Sequence, residues 1–184
     1  MVRRGTPMAR RACEGFSLVE LMIVVAISVI LLAIAAPSFR DLIQKQKITA
    51  TVNDFFFAIK LARSEAIQRG TRVELVPVEA GGDWAKGWAV FVDGNDNQKP
   101  DAGEQVIYTQ GPLPGGISIE ARMTDSTKQY LAYQGTGRTR TNANSQTPQY
   151  GSFLFTLDEQ RRKININMLG RARVCNPDVD KSTC

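Results

Sequence analysis

Five cations, Arg161, Arg162, Lys163, Arg171 and Arg173, fall within thirteen positions that contain no acid. The last two belong to Gly170-Arg171-Ala172-Arg173. An i, i+2 spacing on a strand puts both guanidiniums on one face, where they can bridge neighbouring phosphates. The glycine lets the backbone approach a ligand closely. A second copy, Gly137-Arg138-Thr139-Arg140, lies in a stretch that reads as a Gly/Thr-rich loop. The charge is unevenly placed. Of the net +5, residues 1–15 supply +3, four arginines against Glu14, which leaves +2 for the rest. The 161–173 segment exceeds that by itself, so an acidic body carries a basic edge. Such asymmetry points to a polyanion partner, with a solvated edge that discourages strand pairing as the plainer alternative.

Two other groups invite chemistry. Asp93, Asn95, Asn97, Asp101 and Glu104 occupy positions 1, 3, 5, 9 and 12 of a calcium-loop spacing, all oxygen ligands. Position 6 is Gln98, where the sharp turn wants glycine, and both flanks read as strands. A polar hairpin loop that uses Asp and Asn for turn geometry is the alternative. Cys175 and Cys184 close a short loop, CNPDVDKSTC, as a disulfide in an oxidising compartment or as two free thiols. The chain has no histidine, which excludes Ser-His-Asp and Cys-His catalysis. No other catalytic constellation is visible, and an enzyme is not expected.

These groups need a scaffold, and its first element is plain. Residues 16–36 are apolar except for Ser17, Glu20 and Ser28. As a helix this run is about 30 Å long, a bilayer's hydrocarbon thickness. A carboxylate there is costly and marks Glu20 as functional, its partner a positive group from another subunit or a new amino terminus. The basic residues precede the apolar run, so the amino-terminal end is expected in the cytoplasm and the remainder across the membrane. Beyond it Ile48, Val52, Phe55, Phe56, Ile59, Ala62 and Ala66 recur at helical spacing, and Gly70 supplies a stop. After Gly70 come short β-type runs, at 73–78, 87–92, 105–108, 117–122, 129–133, 151–157, 163–168 and 172–175, separated by Gly/Pro/Asn-rich turns. The expected fold is α+β, a long amino-terminal helix packed against a twisted antiparallel sheet.

The junction Gly15-Phe16-Ser17-Leu18-Val19-Glu20 resembles the prepilin-peptidase site of type IV pilins and type II secretion pseudopilins. The resemblance implies cleavage after Gly15 and N-methylation of Phe16. It also implies that Glu20 aligns each subunit with the amino terminus of its neighbour, and that Pro37 kinks the helix. It implies four segments: a leader at 1–15, a transmembrane and assembly half-helix at 16–37, an amphipathic half at 38–70 and a β-rich domain at 71–184. GWAVFVDGNDNQKPDAGEQVIY and KLARSEAIQRG further resemble stretches of the FimT/GspH type of minor pilin and pseudopilin.

FimT-type minor pilins carry a G-R-x-R motif near the carboxyl terminus, implicated in binding DNA during natural transformation. The resemblance therefore implies non-specific, phosphate-mediated DNA binding by Arg171 and Arg173, with Gly170. Arg161, Arg162, Lys163, Arg138 and Arg140 are candidate contributors. Implied partners are major and minor pilins, the prepilin peptidase and the inner membrane before assembly; no cofactor is implied, and the calcium loop stays open. The alternative is a GspH-like minor pseudopilin of a type II secretion system.

Overall fold

The computed structural model describes residues 17–79, 82–180 and 184. Gly15 and Phe16, the expected processing site, lie outside them, as does the leader. Among the described residues a helix, α1 (Leu18–Arg69), precedes nine strands. These are β1 (Val73–Pro77), β2 (Trp88–Val92), β3 (Val106–Gln110), β4 (Ile117–Met123), β5 (Leu131–Tyr133), β6 (Thr139–Arg140), β7 (Gly151–Leu157), β8 (Gln160–Ile166) and β9 (Ala172–Cys175). The chain divides into two compact units, Met1–Leu42 and Ile43–Cys184.

In the first unit, Ser17 caps α1: its Oγ accepts the Glu20 backbone N–H at 3.2 Å. This is one half of an S-x-x-E capping box, so Glu20 also occupies a position that favours an acid for helix start. Every residue from Leu18 to Ala36 is exposed, and the helix is long and apolar enough to cross a membrane, with a mean hydropathy of 2.9 over an 18-residue window. Ser28 is satisfied within that stretch, because its hydroxyl donates to the Val24 carbonyl at 2.7 Å.

In the second unit, the α1 stripe Ile48, Val52, Phe55, Ile59, Ala62 and Ala66 is fully buried. Phe56, expected beside them, is only partly buried. Gly70 ends the helix at φ +64°, the left-handed conformation a helix stop requires. Phe55 is the hub of the core. Its ring meets Trp88 at 4.9 Å, Trp84 at 5.3 Å, Phe153 at 4.7 Å and Phe155 at 5.3 Å, mostly edge to face. Such pairs add about 0.5–1.5 kcal/mol each beyond burial.

Trp84 comes from a short 3-10 helix (Trp84–Lys86), and the other three come from two sheets, not the single one expected. One has the order β3-β2-β1-β5-β6, the other β4-β7-β8-β9, and every pairing is antiparallel. The Gly111–Gly116 connection carries the chain from β3 into the second sheet instead of turning it back as a hairpin. Strand β8 begins at Gln160, earlier than the expected 163, because Leu157 pairs with Gln160 across a two-residue turn with Asp158 at φ +50°. Arg161 and Arg162 are thus inside the ladder despite their charge. Thr139–Arg140, read as loop, forms β6 against Ala132 and Tyr133.

Candidate functional site

The two G-R-x-R segments sit on turns of the same construction. At the β8–β9 turn, Gly170 N–H donates to the Asn167 carbonyl at 2.9 Å, and Asn167 N–H donates to the Arg171 carbonyl at 3.1 Å. At the β5–β6 turn, Gly137 donates to Gln134 at 2.8 Å and Gln134 to Arg138 at 3.0 Å. Gly137 and Gly170 have φ of +74° and +73°, a conformation L side chains rarely adopt. The turns belong to different sheets, yet they touch. A Cβ added to Gly170 would lie 3.1 Å from the Gly137 carbonyl oxygen and 3.1 Å from the Thr139 nitrogen. The glycines therefore allow backbone to rest on backbone, and Arg138 and Arg171 leave from adjoining positions.

Arg138, Arg171 and Arg173 are exposed, and none takes part in an ion pair among the described residues. Arg171 immediately precedes β9 and Arg173 lies within it, opposite Asn165. The other candidate cations are engaged. Arg161 is paired with Asp178, and Lys163 Nζ donates to the Cys184 carbonyl at 3.2 Å. Arg162 Nη1 turns back to the Arg161 carbonyl at 2.7 Å. Arg140 does not join the face: its side chain is 15% exposed and lies 3.5 Å from Asp96 Oδ2. Cys175 and Cys184 form a disulfide, and Asn165 Nδ2 donates to the Cys184 carbonyl at 3.0 Å, which ties the last segment to β8.

The Asp/Asn-rich loop is organised around a cation of the protein's own. Arg72, 6% exposed, pairs with fully buried Glu74 and with Asp96, and lies 3.7 Å from Asp93 Oδ2. Burial pulls its pKa below the ordinary arginine value, against the neighbouring carboxylates. Asp93 also accepts the backbone N–H groups of Asn95, Asp96 and Gln98. Asn95 and Asn97 turn their amide nitrogens to Asp101 at 2.8 and 2.5 Å. Glu104 accepts from Gly94 at 2.8 Å and from Asp101 at 3.1 Å. The five oxygen ligands thus satisfy the loop itself, and among the described residues no group of three or more His, Cys, Asp or Glu is placed to hold a metal ion. Sequence reasoning misses Arg72 because Asp93 and Asp96 lie more than twenty residues away; the local signal is Glu74, the opposite charge on the other side of Val73.

This arrangement, a long helix carrying antiparallel sheets, has relatives. A family model described as Type II transport protein GspH matches residues 51–170, and one described as a prokaryotic N-terminal methylation motif matches residues 10–36. A fimbrial protein of Pseudomonas aeruginosa is 33% identical over 128 residues, covering 64% of this chain and 81% of that protein. The fold is similar to the type IV minor pilin FimU of Pseudomonas aeruginosa, with a TM-score of 0.57 at 13% identity, covering 73% of this chain and 92% of that one. It is also similar to the minor pseudopilin EpsH from the Type 2 Secretion System of Vibrio cholerae, with a TM-score of 0.50 at 13% identity, covering 71% and 98%. The architecture is that of type IV pilin-like proteins, which are structural and not enzymatic. Within that class, the chain belongs to the GspH family of minor pilins and pseudopilins.

Proposed function

We propose that this chain is a minor pilin of a type IV pilus that binds DNA non-specifically for uptake. The observation that carries the reading is the contact between the two G-R-x-R turns, which sets Arg138 and Arg171 at adjoining positions, with Arg173 two residues on and none of the three paired with an acid among the described residues. Such a face contacts phosphates and reads no bases, so binding is sequence-independent and steeply salt-dependent. Several copies along a fibre would add avidity. In this reading the chain is cut after Gly15 and methylated on Phe16, and it waits in the inner membrane with its amino terminus cytoplasmic and its β-rich unit periplasmic. Glu20 then aligns it with other pilins.

The test is a gel shift at low salt with Arg171→Gln combined with Arg173→Gln. Retention equal to the unaltered protein's would overturn the reading. A second reading, a minor pseudopilin of a type II secretion system, is favoured by the match to the GspH family model and by the likeness to EpsH. A deletion strain separates the two: lost transformation with intact secretion supports the pilus reading, and the reverse supports secretion.

A further inference from the structure

The arginines of the turns face a partner from the helix. A cleft of about 230 Å³ is lined by Ile59, Lys60, Arg63, Tyr133, Gly170 and Arg171. Three of these are cations and none is a carboxylate. Lys60 and Arg63 are three residues apart on α1, a spacing that sets side chains next to each other on one helix face. Arg63 is half-buried, and its Nη1 donates to the Gly170 carbonyl at 3.3 Å. A guanidinium has five N–H donors, and this is the one bond it makes among the described residues; no acid pairs with it. A partly desolvated cation without a counter-ion is unfavourable until an anion arrives. Lys60 is exposed, its Nζ 5.3 Å from the centroid of the Phe56 ring, so its stem is held beside the cleft.

We infer that Lys60 and Arg63 complete a seat for a DNA backbone phosphate, with Arg171 as the third cation and Arg138 beside it. The inference rests on the DNA-binding reading and deepens it by placing half of the site on α1. At about 30 Å³ per water, the cleft has room for a phosphate and part of its hydration shell. The aromatic ring in its lining, Tyr133, is fully buried, with its hydroxyl bound to the Gly170 carbonyl. Bases therefore find no stacking surface in the cleft, and the seat reads charge alone. The helix cations and the turn cations come from opposite ends of the folded unit's sequence, so one phosphate is gripped from two directions, which a single strand edge cannot do.

The test uses the full chain in detergent micelles and a short labelled duplex, with affinity followed by fluorescence anisotropy over a salt series. Lys60→Gln with Arg63→Gln should lower the slope of log affinity against log salt by about 0.9, the share of the one phosphate they seat. Lys60→Gln alone alters only an exposed side chain and should lower it by part of that amount. Lys86→Gln with Lys128→Gln removes the same charge from exposed positions that do not line this cleft, and should leave the slope within experimental error. Helix variants that match this control, while Arg171→Gln with Arg173→Gln loses binding, would overturn the seat and leave the DNA-binding reading standing. An unaltered protein without salt-dependent binding would overturn both.

Discussion

Tyr133 donates its hydroxyl hydrogen to the Gly170 carbonyl at 2.8 Å, and this bond fastens the first sheet to the final turn of the second. The ring is fully buried, and the same carbonyl takes Arg63 Nη1. Tyr133→Phe keeps the packing and removes the bond. It should cost about 1 kcal/mol in urea unfolding, the usual net worth of such a bond. It should also loosen the β8–β9 turn, seen as faster amide exchange at Gly170 and Arg171. Unchanged exchange there would show that the turn is held by other contacts.

Arg72 neutralises a buried pocket of acid. With Glu74 and Asp93 both at 0% side-chain exposure, removing the guanidinium strands two carboxylates away from water. Arg72→Met should destabilise the protein by about 3–5 kcal/mol, the cost of breaking a buried ion pair from one side. Replacing Arg72 and Glu74 together by apolar residues should be milder, because one of the stranded charges leaves as well. A double variant less stable than Arg72→Met would contradict this account.

Calcium should find little to bind in the Asp93–Glu104 loop. Arg72 already supplies positive charge there, and the amide nitrogens of Asn95 and Asn97 point at Asp101. Millimolar calcium is expected to leave the melting temperature unchanged and to give no heat in calorimetry. A saturable rise in melting temperature would mean that the loop rearranges around the ion.

The pH dependence of stability should be flat through neutrality, since the chain has no histidine. Hydrogen bonds from Asn95 and Asn97 hold the Asp101 carboxyl below its ordinary range. Burial pushes Asp125 up, but hydrogen bonds from Thr127 and Tyr130 outweigh it and leave the group depressed. Depressed carboxyls stabilise the fold above their unfolded value of about 3.9 and lose that contribution as pH falls through the folded value. Burial raises Tyr130 and Tyr133. Their contribution is complete below about pH 10 and is lost as pH climbs through their raised values. Thermal melts should therefore hold level from about pH 5 to about pH 9, falling below and above. A transition near neutrality would point to a group not considered above.

The helix and most strands were legible in the sequence because each rests on local periodicity. The buried stripe from Ile48 to Ala66 repeats at helical spacing, and Gly151–Leu157 alternates as a half-buried strand does. What escaped was tertiary. Two residues, Thr139 and Arg140, carry no period, so β6 could not be distinguished from loop. Arg161 reads as a free cation until the fold brings Asp178 to it, and Arg140 until it brings Asp96. The contact of Gly137 with Gly170 joins two sheets whose separation the strand pattern does not encode. Lys60 and Arg63 looked like ordinary polar positions of an amphipathic helix, since nothing local says which solvent-facing cations will meet others.

The meeting of the two glycine turns has a consequence for folding. The β8–β9 turn and its arginines follow, in sequence, the helix and the β5–β6 turn against which they are set. The cationic face therefore exists only once segments far apart in the sequence have folded against one another. On the DNA-binding reading proposed above, a variant cut before Gly170 would keep Lys60, Arg63 and Arg138 but lose the seat, so affinity for DNA would report that the turns have docked.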